Sequence, residues 1–161
     1  MTRLAPRPAP ARPHGARGEA RLDRGSGAIG IVIFALLFMA LAAFVVDGGM
    51  AISKRERAAD LAEQAARYAA QDIDVEALRN ATEATRTAPI NYENCTDDIR
   101  HFLATTGLDQ ADVEASECHD STAEQVNVTV QLTYQPMMTG FFFDGDLLAK
   151  GTASASSISG N

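Results

Sequence analysis

An uninterrupted apolar run from Ala28 to Val46 constrains this chain more than any other feature. It reads Ala-Ile-Gly-Ile-Val-Ile-Phe-Ala-Leu-Leu-Phe-Met-Ala-Leu-Ala-Ala-Phe-Val-Val, with no charge, Pro, Asn or Gln. As a helix rising 1.5 Å per residue it is roughly 28 Å long, close to the ~30 Å hydrocarbon core of a bilayer. A lone helix satisfies its own backbone in lipid. Burying it in water would take a domain large enough to surround it, and the 115 residues after Val46 are too few. The run, taken with its flanks as residues 25–47, is therefore read as a transmembrane helix. A cleaved secretory signal is the competing reading, because a basic segment precedes the run. Such signals carry apolar stretches of only ~7–15 residues, and the small-residue site Ala40-Leu41-Ala42 sits inside the run. The uncleaved anchor is preferred.

Charge divides the chain at this helix. Residues 1–24 hold six Arg against Glu19 and Asp23, whereas residues 47–161 hold eight basic and nineteen acidic side chains. The only basic stretch is a short Pro-rich tail, which argues against a nucleic-acid partner. That tail lacks apolar periodicity and is expected to be disordered, with its Arg side chains against anionic headgroups of the membrane lipid. Six Arg before the span outweigh Lys54, Arg55 and Arg57 after it. The excess keeps the N-terminus cytoplasmic and sends the rest outside the cell membrane. Two cysteines, Cys95 and Cys118, lie in that outer part. An even count in an oxidising compartment points to one disulfide, with two buried free thiols as the alternative.

Beyond the span, residues 50–72 are rich in Ala, Glu, Gln, Arg and Leu and predict a helix, counted as a juxtamembrane segment over 48–72. Glu63 and Arg67 form an i,i+4 pair. Ala58, Ala62, Ala65, Ala66 and Ala69 make a small-residue face that admits a close neighbour, and Gly48-Gly49 is the expected bend. Residues 73–161 form a small extracytoplasmic domain. Residues 74–85 predict a short helix, and Thr96 is read as the N-cap of another carrying Ile99, Phe102 and Leu103, stopped near Gly107. Alternation over residues 126–134 marks a half-buried strand, residues 147–156 a weaker one and residues 113–118 a third. The fold class is thus α+β: a transmembrane helix continuing into an Ala-rich helix, then a domain with an antiparallel sheet of two to four strands.

Few residues carry chemistry. No catalytic or phosphate-binding motif is present, so no catalytic, cofactor or metal residue is assigned and no small-molecule substrate is expected. Cys95, His101, Cys118 and His119 lack the short paired spacing of zinc sites. Asp144-Gly145-Asp146 is read as an acidic turn rather than a calcium site, and the sequons at Asn80, Asn94 and Asn127 as chance. Phe141-Phe142-Phe143 are either the plug of a small core or an exposed patch facing a partner or lipid. Asp47 is either an interfacial carboxylate in water or a charge facing a neighbouring helix.

Arg24-Gly25-Ser26, the apolar run, Val46-Asp47-Gly48-Gly49 and the stretch Lys54-Arg55-Glu56-Arg57-Ala58-Ala59-Asp60-Leu61-Ala62-Glu63-Gln64-Ala65-Ala66 resemble the N-terminal region of TadE/TadG-like proteins. These belong to the tight-adherence (Flp) pilus assembly systems of bacteria, and short actinobacterial members look especially similar. The resemblance covers roughly residues 23–72. It implies a membrane-anchored, pseudopilin-like or assembly component with no enzymatic activity, whose partners are other pilus assembly proteins. Asp47 and Gly48 match the family's Asp-x-Gly. Gly25 and Ser26 stand where such proteins are processed, but Gly30 occupies the position of the usual Glu. That favours the uncleaved TadG-like kind. Two other readings are a membrane-tethered sensor or ligand-binding domain and a thiol or metal enzyme.

Overall fold

In the computed structural model, residues 23–80, 88–141 and 145–157 are described. Helix α1 (Asp23–Ala69) contains the whole apolar run and the Ala-rich stretch after it. It is unbroken at Gly48 and Gly49, where a bend was expected. Met50 and Ala51 follow them as good helix formers, and a single ladder of i→i−4 bonds outweighs their modest penalty. The chain divides into two compact units between Leu41 and Ala42.

In the first unit, large apolar side chains of α1 lie open on every side, Ile31 and Phe38 among them. Taken whole, α1 is long and apolar enough to cross a membrane.

The second unit is α+β. After the C-terminal part of α1 come α2 (Val75–Asn80), α3 (Cys95–Ala104), α4 (Gln110–Glu114), β1 (Glu117–Cys118), β2 (Gln125–Tyr134), a 3-10 turn (Thr139–Phe141) and β3 (Leu147–Ser156). The three strands form one antiparallel sheet in the order β1-β2-β3. β2 alternates as its sequence predicts: Val126, Val128, Val130 and Leu132 are buried. Opposite them in register stand Ala155, Ala153, Gly151 and Ala149 of β3. This inner face is large on one strand and small on the next. The small strand is where α1 comes closest, because Ala58, Ala62, Ala65, Ala66 and Ala69 join the same core. A Cβ at Gly151 would collide with the backbone of Ala58 and Ala59, so the crossing requires glycine.

α3 closes the core with Ile99 and Leu103, and its Phe102 stacks on Tyr68 of α1 at 5.4 Å between ring centroids. The helix starts two residues earlier than a Thr96 cap implies. The turn over residues 91–95 already satisfies the first amides, since Cys95 N–H donates to the Tyr92 carbonyl. Thr96 Oγ1 is left free to accept from the Cys118 amide at 3.3 Å. Gly107, at φ +75°, does follow the helix and turns the chain where a side chain would be strained.

The strand expected over residues 113–118 is replaced by α4 and the two-residue β1. Buried Asp112 decides this. Its carboxylate accepts from the Thr133 amide at 2.8 Å and the Thr133 hydroxyl at 2.6 Å, tying α4 to β2. Ser116 Oγ donates to the Asp112 carbonyl at 2.8 Å and accepts from the Gln131 amide at 3.2 Å. Asp74 caps α2 by accepting from the amides of Glu76 and Ala77. Residues 81–87, part of the helix expected over 74–85, lie outside the described residues.

Candidate functional site

The most connected polar group near the apolar run is Asp47, which follows Val46 directly on α1. Its two carboxylate oxygens hold the loop that leaves β2. Oδ1 accepts from the amides of Met137 and Met138, both at 3.0 Å. Oδ2 accepts from the amide and the hydroxyl of Thr139, both at 2.7 Å. Thr139 begins the 3-10 turn, so a carboxylate on one element caps the start of another ninety residues away. Charge-assisted bonds of this kind are about twice as strong as neutral ones. Asp47 is therefore neither merely hydrated nor left free for a neighbouring helix: its acceptors are engaged inside the chain. Gly48 beside it has open space where a Cβ would stand.

Cys95 and Cys118 are joined in a disulfide, with Cα atoms 6.1 Å apart. It ties the start of α3 to β1 and closes a loop with a sequence separation of 23. On the chain-entropy model such a loop contributes about 3 kcal/mol. Both sulfurs are used, so neither is a nucleophile or a metal ligand. Among the described residues no three His, Cys, Asp or Glu side chains are grouped to hold a metal ion. His101 lies exposed on α3, and His119 Nδ1 stands 3.4 Å from Thr129 Oγ1.

The remaining sequence-derived candidates are scattered. Gly25 and Ser26 fall in the first turn of α1. Phe141 ends the 3-10 turn, while Phe142 and Phe143 lie outside the described residues, as does Asp144. Asp146 is exposed. An open polar hollow of about 260 Å³ is lined by Tyr68, Gln71, Asp72 and Asp98. Burial, together with the charges of Asp72 and Asp97, raises the Asp98 pKa above the ordinary 3.8, and His101 partly opposes this. One oxygen of Asp98 is buried without a partner. Sequence alone carries no signal for this hollow or for the Asp112 link, because each depends on residues brought together from distant elements.

The geometry of Asp47 coincides with a sequence match. Residues 25–72 match the family model Tad, the Flp pilus-assembly TadE/G-like family. No curated protein and no solved structure matches the chain. The TadE/G-like segment thus supplies the apolar run, Asp47 and the alanine face. The sheet, the disulfide and the Asp47-bound loop lie beyond it. The carboxylate belongs to the family-matched part and its donors to the part that follows.

Proposed function

We propose that this chain is a membrane-anchored structural or assembly component of a Tad/Flp-type pilus or secretion system. The match of residues 25–72 to the TadE/G-like family carries the reading. The apolar part of α1 supports it, since large side chains exposed all around a helix have no use in water. In this reading residues 25–47 span the cell membrane uncleaved and residues 1–24 are the basic cytoplasmic tail. Residues 48–72 continue as the juxtamembrane helix, and residues 73–161 form the extracytoplasmic domain. The role is mechanical, not catalytic. The span holds the protein among other assembly proteins, which meet it through helix packing within the bilayer. The alanine face of residues 58–69, which the sequence offers to partner subunits, is covered by the chain's own core, so the packing is assigned to the apolar run.

Deleting the chain from its native host tests this directly. Pili counted by electron microscopy should disappear or fall several-fold, and return with the full chain but not with one lacking residues 25–46. Unchanged pilus numbers in the deletion strain would overturn the reading.

A further inference from the structure

Four large apolar side chains of the second unit remain exposed close to the point where α1 leaves its apolar run: Met137 at 75%, Met138 at 46%, Leu147 at 46% and Leu148 at 57%. Their placement is fixed by bonds on the page. Asp47 grips the amides of residues 137–139, so the Met137-Met138 turn lies at the level of Asp47. Tyr134 pairs with Leu147, so β3 starts at the same end of the sheet as that turn. Gly151 against Ala58 gives an independent check. From Ala58 back to Asp47 is about 16 Å of helix, and from Gly151 back to Leu147 about 13 Å of strand. Lengths this similar bring Asp47 and Leu147 to one level where helix and strand run side by side.

We propose that the Met137-Met138 turn and the Leu147-Leu148 start of β3 insert into the lipid interface, giving the domain a second membrane contact beside its anchor. This rests on reading the apolar run as the span. The occupant is lipid because Phe44, Val45 and Val46, which lead directly into Asp47 on the same unit, are exposed and apolar as well. The Asp47 clamp suits that setting. Three backbone amides in a turn next to hydrocarbon would be costly without acceptors, and Asp47 takes all three. Attraction to anionic headgroups is not the driving force. Lys54, Arg55, Arg57 and Lys150 are matched in number by Asp47, Glu56, Asp60 and Asp146.

The chain has no tryptophan, so one introduced residue is the whole indole signal. Four variants of the full chain, Phe38→Trp, Met138→Trp, Leu148→Trp and Glu124→Trp, are reconstituted into phosphatidylcholine vesicles containing dibrominated phosphatidylcholine. Phe38 probes the span, and Glu124 precedes Gln125 at the opposite end of the sheet. Absence of free thiol in each confirms an intact Cys95–Cys118 bond, and a circular-dichroism spectrum like the parent's confirms a folded domain. The expected result is loss of fluorescence at Met138→Trp and Leu148→Trp at least half as large as at Phe38→Trp, unchanged by added salt, with none at Glu124→Trp. Quenching at Phe38→Trp alone would overturn the proposal, keep the anchor and hand the patch to a protein. An unquenched Phe38→Trp would overturn the anchor reading and the lipid contact with it.

Discussion

Two stretches of the same helix use apolar residues in opposite ways. Along residues 28–46 the side chains are large, Ile, Leu, Phe, Met and Val, and they are exposed. Along residues 58–69 the core-facing side chains are mostly alanine, and they are buried. In a water-soluble helix the large residues would be inside and the small ones indifferent. The inversion shows that the two stretches answer to different surroundings. The first suits a medium that wants apolar surface all around. The second meets a strand whose backbone must come close, and size rather than hydropathy selects its residues.

The sharpest way to break this comparison is at the crossing itself. Gly151→Ala puts a methyl group into the backbone of Ala58 and Ala59, neither of which can step aside as a side chain could. Overpacking of this kind costs about 3 kcal/mol. Thermal unfolding of the detergent-solubilised chain, followed by circular dichroism, should show a markedly lower midpoint. Gly49→Ala is the matched control. It lies in the same helix with open space around it and should stabilise by about 0.5–1 kcal/mol. Equal effects from the two substitutions would mean that close approach does not govern the alanine stretch.

Much of this contrast was legible beforehand, and the reasons are local. The apolar run declares itself by length, β2 by strict alternation and the alanine face by helical spacing. β3 was legible too, although its inner face of Ala149, Gly151, Ala153 and Ala155 makes sense only opposite the alanines of α1. What escaped was long-range. The sequence 110–118 is short enough to be read as helix or strand, and the bond from Asp112 to Thr133 settles it. Asp47 stands out in the sequence by its position and its family-like motif, yet its partners are ninety residues away, and nothing near it in sequence names them.

That clamp gives a second, smaller test. Asparagine is no conservative replacement at Asp47, because the carboxylate accepts at both oxygens and an amide accepts at one. Asp47→Asn turns an NH₂ toward donors on one side of the loop, at a cost of about 1–2 kcal/mol. The midpoint should fall less than in Gly151→Ala, and hydrogen exchange should quicken at the amides of residues 137–139 while β2 stays protected. Unchanged exchange at those amides would show that the loop is held by something other than Asp47.

The smallest expected effect lies where the alanine stretch ends, at the hollow of Tyr68, Gln71, Asp72 and Asp98. Asp98 has its pKa raised first by burial, then by Asp72 and Asp97. A raised carboxyl binds its proton more tightly in the folded chain than in the unfolded one. Its contribution is therefore most favourable below the ordinary value of 3.8, declines as pH rises through the folded-state value, and stays as a penalty at neutral pH. Asp98→Asn keeps the shape and removes the charge. The variant should unfold at a slightly higher temperature than the parent at pH 7, with the difference vanishing or reversing as the solution is acidified. A variant less stable at neutral pH would show that the charge is welcome there, most simply through the N-terminal turns of α3, and that crowding of Asp72, Asp97 and Asp98 is not what limits this end of the core.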